Sequence, residues 1–290
     1  MPADRASRTA VLVCQGRAVA HGRLAVGRFD DPTALRLLRE TERTPVMRAR
    51  AVPTSKGLAA RLDVELLGRQ AEAMALRTVA VDDAVRAAGN PQLVIVGAGL
   101  DGRAWRMSEL AQVDVFEVDH PASQHEKRSR AVALGPPVGR HHFVAADLDE
   151  VDLGAVLFAA GHDATGPTTW ILEGVIPYLS EQAAATTLTA IAGRSAPGST
   201  VVLTYQLESP RGRLGRLLAR ALLVLMGRGD PMANESRRSS WSRETVQALV
   251  AEAGFLLRED IGLVALAGEL SVPDRHVHAS RVAVSVSPGG

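Results

Sequence analysis

Val94-Ile95-Val96-Gly97-Ala98-Gly99-Leu100-Asp101-Gly102-Arg103 is the stretch that decides the fold. A short run of Val and Ile reads as a buried strand, the glycines as a tight turn, and the residues after them as the start of a helix. Glycine suits such a turn because a Cβ would keep a ligand away from the backbone, and the first N–H groups of a helix are free to donate. Gly97, Gly99 and Gly102 formally satisfy the spacing G-x-G-x-x-G. A turn that merely lets strand and helix pack would look the same, so the surrounding chain has to decide.

Downstream, short apolar runs alternate with helical stretches, the pattern of parallel βαβ units. Strands are expected at 93–96, 113–118, 143–145, 169–172 and 200–205, with two more near 256–263 and 279–285. Helices are expected at 123–133, 181–194 and 243–253, with Pro121 in the first turn of one and Gly254 closing another. Upstream, residues 1–89 show helical periodicity and no convincing strand, and 64–88 reads as one long helix stopped by Gly89 and Pro91. The expected fold is α/β: a doubly wound, mostly parallel, seven-stranded Rossmann-like sheet over 91–290, with an N-terminal helical cap over 1–90. Residues 206–242 read as an insertion carrying a lid helix at 214–226. Its Leu214, Leu217, Leu218, Ala221, Leu222 and Leu225 share one face, and Arg213, Arg216 and Arg220 the other.

Acidic residues follow the strands on the side where open α/β sheets bind ligands. Asp119 ends the second strand, Asp147 follows the third and Glu173 ends the fourth. Asp119 suits a ribose hydroxyl, so the pair of loop and acid points to an adenosine-containing cofactor, either a nicotinamide dinucleotide or a sulfonium methyl donor. Two features favour the methyl donor. About ninety residues precede the first strand, whereas dinucleotide folds usually begin near theirs. The clustered carboxylates also suit a sulfonium and an amine but would repel a pyrophosphate.

Composition narrows the field. There are 33 Lys and Arg against 32 Asp and Glu, a formal charge of +1, so no broad positive field exists to hold nucleic acid. Cys14 is the single cysteine, which rules out an internal disulfide and a thiolate metal cluster. The N-terminal apolar stretch is broken by Gln15, Gly16 and Arg17 and does not read as a signal peptide, and the run 221–226 is too short to cross a bilayer. A cytoplasmic location is expected.

Several blocks in this order resemble the leucine carboxyl methyltransferase-like family, on the branch of bacterial polyketide carboxyl O-methyltransferases of the tetracenomycin type. They are Ser7-Arg8-Thr9-Ala10, Gly16-Arg17-Ala18, Asp31-Pro32-Thr33-Ala34, Arg77-Thr78 and Asp82-Asp83 in the helical part. The core blocks run from Gly97 to Arg106, from Phe116 to Pro121, over Ala146-Asp147-Leu148, and from Leu172 to Leu179. The resemblance implies a class I fold and S-adenosyl-L-methionine as cofactor. It implies that Arg77 meets the methionine carboxylate, that Gly97, Ala98 and Gly99 lie beneath the methionine portion, and that Asp119 holds the ribose. Asp147 and Leu148 would flank adenine, and Glu173 would line the cofactor pocket. Two positions depart from the family pattern: Gly102 stands where Thr is usual, and Pro177 where Met or another apolar residue is common.

Methyl transfer to a carboxylate needs no general base, since that oxygen is already ionised at neutral pH; a phenol would want one. His120, His141 and His142 lack a partner spacing that marks a base, which favours O-methylation of a small carboxylic acid. Tyr178 and Tyr205 follow the fourth and fifth strands and are candidates to position the acceptor. Arg211, Arg213, Arg216 and Arg220 of the lid could clamp its charge. A nicotinamide-dependent oxidoreductase, and a non-catalytic protein that binds the methyl donor, are the alternatives.

Overall fold

The strand β1 (Gln92–Val96) is buried along its whole length and runs between two parallel neighbours, β2 (Asp114–Asp119) and β4 (Thr168–Leu172). A computed structural model of the chain describes residues 8–51, 58–148, 150–207, 241–274 and 277–289. The lid helix at 214–226 and its arginines, like Ser7, lie outside the described residues. The sheet has seven strands in the order β3-β2-β1-β4-β5-β7-β6, with β3 (Arg140–Ala145), β5 (Thr200–Gln206), β6 (Leu256–Gly262) and β7 (Ser280–Val286). Among the described strands only β7 runs antiparallel, to both β5 and β6. The expected doubly wound, mostly parallel sheet is therefore what forms.

Side chains alternate across each strand, as the pleat requires. Leu93, Ile95, Val115, Ile171 and Val202 enter one core, and Val94, Val96, Phe116, Trp170 and Leu203 the other. The second core is covered by α7 (Leu153–Ala159), α8 (Glu181–Ala192) and α9 (Arg243–Glu252). The first lies under α4 (Leu58–Ala88) and α10 (Leu263–Glu269), and α1 (Arg8–Ala20), α2 (Ala34–Leu37) and α3 (Glu40–Arg50) share it. Chain before and after residue 90 thus contributes to one continuous apolar cluster, although the change from all-helical to sheet-forming sequence falls there.

Local chemistry sets the helix starts. Ser180 and Ser242 each accept a hydrogen bond at 3.1 Å from the N–H three residues on, and Asp152 accepts one from Gly154 at 2.8 Å. Pro121 opens α6 (Pro121–Ala131). The edge strand β3 is longer than expected. His141 and His142 extend it backwards along Val115 and Phe116, and an edge strand need not show a continuous apolar run. The helices α7 and α10 were not expected, since seven residues are too few to display a helical period. The helix expected after the glycine turn is α5 (Arg103–Arg106), a single turn followed by a 3-10 turn over Ser108–Gln112.

His162, ahead of β4, shows how the second core handles a polar side chain. Its Nε2 lies 3.0 Å from Thr168 Oγ1, and Nδ1 accepts from Arg194 at 3.2 Å, which fixes the neutral ring. Burial, and then the Arg194 charge, lower its pKa to about 4. A histidine held neutral in the fold favours the fold only while the unfolded ring is neutral too. Stability is therefore expected to fall as pH drops from about 6.5 towards about 4. Urea titrations of the wild type and His162→Gln across that window test this: the acid limb should be shallower in the variant, and parallel limbs would refute the assignment.

Candidate functional site

A cavity of about 790 Å³ opens above the carboxyl ends of β1, β2, β4 and β5, walled on the far side by α1 and α4. Its floor is the glycine turn. Gly97 and Gly99 have φ of +68° and +48°, which L side chains rarely adopt. A Cβ on Gly97 would come within 2.6 Å of Val175 Cγ2, and one on Gly99 within 3.1 Å of the Ala10 Cβ on α1. The bare backbone is thus demanded twice, by dihedral and by space.

Gly102 is required for a different reason. Its φ is ordinary, but a Cβ would fall 1.9 Å from Thr33 Oγ1 in the helical part of the chain. Thr33 is fixed in turn by Asp31, whose Oδ1 accepts from the Thr33 hydroxyl at 2.5 Å and the Ala34 N–H at 3.0 Å. The absent side chain at 102 leaves room for the threonine at 33.

Beneath this floor runs a buried ionic network. The Arg103 side chain has no exposure, and it binds Asp82 Oδ1 at 2.7 Å, Glu173 Oε2 at 2.8 Å, and Asp101. Arg106 holds the other Asp82 oxygen at 2.6 Å. Arg17, from α1, pairs with Asp31 at 3.0 Å and donates to the Leu100 carbonyl at 2.5 Å, tying the helix to the glycine turn. Glu173 also accepts from Arg77 Nε at 2.8 Å. Burial alone would raise the Glu173 carboxyl, but the Arg77 and Arg103 charges outweigh it and hold the pKa at about 2. Asp101 is held well below the usual range by the same balance. Glu173 is therefore an anion that orients Arg77 at the cavity wall.

Asp119 behaves oppositely. Its Oδ2 accepts the Gly99 N–H at 2.6 Å and its Oδ1 the His120 N–H at 2.7 Å. Burial still pushes its pKa upward, against these two hydrogen bonds and the more distant Lys127 charge. A carboxylate kept at such a cost faces the cavity and suits a pair of hydroxyl donors. Next to it, His120 Nδ1 accepts from the Ala122 N–H at 3.2 Å, capping α6, while Nε2 lies 3.6 Å from Asp147 Oδ2. Asp147, Leu148 and Ser123 line the same end.

The other end is bounded by Tyr178, Leu179, Tyr205, Gln206, Leu263 and Arg281. Tyr205 is buried, and its hydroxyl lies 2.9 Å from both oxygens of Asp260. Burial, and then the Asp260 hydrogen bond, raise its pKa to about 12. Arg77, Gly97, Ala98, Gly99, Asp119, Asp147, Leu148, Glu173, Tyr178 and Tyr205 all line this one cavity. His141 does not: it packs between Trp105 and Phe143, 3.4 Å from Glu117, on the sheet face below.

The family model for leucine carboxyl methyltransferase matches residues 10–192. The chain belongs to that family. A proposed S-adenosyl-L-methionine-dependent methyltransferase from Mycolicibacterium vanbaalenii is 35% identical over 217 residues, covering 70% of this chain and 68% of its own. One from Mycolicibacterium paratuberculosis is 31% identical, covering 97% and 96%. One from Mycobacterium bovis BCG is 38% identical over 53% of this chain and 52% of its own, so that match spans about half of either protein. Among solved structures, a proposed methyltransferase from Thermobifida fusca superimposes with a TM-score of 0.59 at 16% identity, covering 99% and 97%. A DUF574-family protein from Streptomyces avermitilis gives 0.58 at 15%, covering 98% of each. These structural likenesses bear on the fold.

Membership gives the cavity its context. Arg17, Asp31, Asp82, Asp101 and Arg103 all sit in the matched segment and pair with one another around Arg77 and Glu173, and Arg17 and Asp101 also line the cavity. In the sequence these residues show no task of their own, because charges far apart in the chain carry no local sign of pairing. The one-turn α5 also leaves the G-x-G-x-x-G spacing without the long helix that a pyrophosphate site uses.

Proposed function

We propose that this S-adenosyl-L-methionine-dependent methyltransferase methylates a carboxylate oxygen of a small organic acid bound at the Tyr178–Tyr205 end of its cavity. When bound, the cofactor supplies an electrophilic methyl group on a sulfonium sulfur. The protein's task is to hold, align and dry the reactants.

In this reading Asp119 receives the ribose hydroxyls, and the Gly97–Gly99 backbone lets the methionine portion approach closely. Arg77, with Nε spent on Glu173, offers its remaining N–H groups to the methionine carboxylate. Asp147 and Leu148 take the adenine. Tyr178 stands on the 3-10 turn Ile176–Tyr178, shortly after Glu173, and lines the cavity.

The observation that carries the choice of acceptor is the state of Tyr205. Its hydroxyl is bound to Asp260 and its ionisation is moved up to about 12, so it is a poor proton acceptor at neutral pH. His120 spends Nδ1 on a helix cap at the adenosine end. A phenol would need a base to release its proton, whereas a carboxylate arrives ionised. Apolar Leu12, Val13, Met74, Leu179 and Leu263 along the same walls suit a hydrophobic body behind the acid group.

The product chemistry gives the test. Incubation with a pool of small acids and deuterated methyl donor is expected to yield labelled methyl that mild alkali releases as methanol, since esters hydrolyse where aryl ethers do not. Label that survives alkali would refute the carboxylate reading and leave the methyltransferase intact.

A further inference from the structure

At the end of the cavity farthest from Asp119, three strands bring Tyr205, Asp260, Gly262 and Arg281 together. Arg281 on β7 is the register partner of Tyr205 on β5 and of Gly262 on β6. Its Nε lies 2.9 Å from both Asp260 carboxylate oxygens, and its Nη2 donates to the Asp260 carbonyl at 2.6 Å. Nη1 lies over Gly262, where an added Cβ would come within 2.9 Å of it. The guanidinium is therefore held in one plane from one edge, in a slot that exists because position 262 has no side chain.

Three features set this arginine apart from an ordinary cross-strand ion pair. It forms part of the cavity wall although its side chain is only 11% exposed. Of its five N–H groups, Nε–H and one on Nη2 are spent on Asp260 and one more is shared with Tyr205, which leaves donors for a ligand. Asp260 also meets a second cation, Arg243 Nε at 3.8 Å, so the group carries a net positive charge. A desolvated and rigid guanidinium that shares its one carboxylate with a second arginine, and has donors to spare, matches a carboxylate ligand. β7 stands four strand spacings from β2 in the sheet order, about 19 Å, so this cation and Asp119 mark opposite ends of the cavity.

We propose that Arg281 anchors the negative charge of the acceptor, which makes the acceptor class a small organic acid. Asp260 aims the guanidinium, Gly262 makes room for it, and Tyr205 closes the wall beside it. This rests on the methyl-transfer reading of the cavity and adds the residue that selects the acceptor.

The experiment titrates protein saturated with S-adenosylhomocysteine against benzoate, 2-naphthoate and decanoate, with 2-naphthol as the uncharged control, by calorimetry. At least one carboxylate should bind, and Arg281→Gln should weaken it ten- to hundredfold while Arg281→Lys weakens it less. Affinity for S-adenosylhomocysteine should be the same in all variants. Gly262→Val, which leaves the cation present but displaces it, should weaken the same acid, and it carries the test should Arg281→Gln fail to fold. If no carboxylate prefers the wild type by tenfold, or 2-naphthol loses as much as 2-naphthoate, the assignment of Arg281 is overturned. Absence of S-adenosylhomocysteine binding in the wild type would overturn the cavity's reading as well.

Discussion

Asp119→Ala is expected to weaken S-adenosylhomocysteine binding about 100-fold, or about 2.8 kcal/mol, with little change in unfolding free energy. A charged hydrogen bond is worth about 1.5–3 kcal/mol, and ribose offers two hydroxyls to the two oxygens of Asp119. The near-neutral effect on stability follows from the raised carboxyl. Its burial costs more than the Gly99 and His120 N–H groups return, so the fold gains little from it. Calorimetry for affinity and urea titration for stability, on the same preparation, check both halves. Unchanged affinity would remove Asp119 from the site; a large loss of stability would make it a structural residue.

Arg103→Met should act the other way round, on the fold first. Methionine fills similar space but leaves Asp101, Asp82 and Glu173 without a cation they share in a fully buried region. Breaking a buried pair by removing one partner costs about 3–5 kcal/mol. Asp82 keeps Arg106 and Glu173 keeps Arg77, while Asp101 loses its ion-pair partner, so a cost within that range is expected, a large part of a typical total of about 5–15 kcal/mol. The pH dependence supplies a stricter check. In the wild type, Glu173 titrates at about 2 in the fold, below the usual carboxylate value. Its contribution is present at neutral pH and lost as pH falls towards 2. Without Arg103, Asp101 loses the charge that most lowers its pKa while its burial remains; its folded pKa then moves above the unfolded value, the fold takes up the extra proton, and stability rises as pH is lowered from 7 towards 5. Urea midpoints that decline in parallel for both proteins over that range would contradict the proposed role of the network.

The two variants also separate two kinds of charged residue that look alike in the chain. Asp101 and Asp119 both stand near the glycine turn, but one is neutralised by Arg103 and the other is not. That distinction depends on which cations the fold brings near, and those come from α1, α4 and α5. Asp119 is legible in the sequence because it ends a strand, a position with local meaning. Arg17, Asp31, Asp82 and Arg103 are not, because their partners are up to 83 residues away, as in the contact of Arg17 with Leu100. Gly102 is a further case. As a family departure it had no explanation in one dimension, and it acquires one when Thr33 is found against it.

The acceptor side was the least legible. The sequence suggested cations in the lid, at Arg211, Arg213, Arg216 and Arg220, which lie outside the described residues. Arg281 offered no such hint, since one arginine in an alternating strand reads as a solvent-facing residue. Its place on the cavity wall follows from the antiparallel insertion of β7 between β5 and β6, which a linear pattern does not reveal.

The chain's local order determined the class of fold, the position of the glycine turn and the acids at the strand ends. Strand periodicity, turn chemistry and helix caps act over a few residues and are therefore written in consecutive letters. Tertiary structure alone decided which of those acids is neutralised, why position 102 must lack a side chain, and which arginines line the cavity. Charge pairing and steric fit act through space, between residues that only the folded sheet makes neighbours.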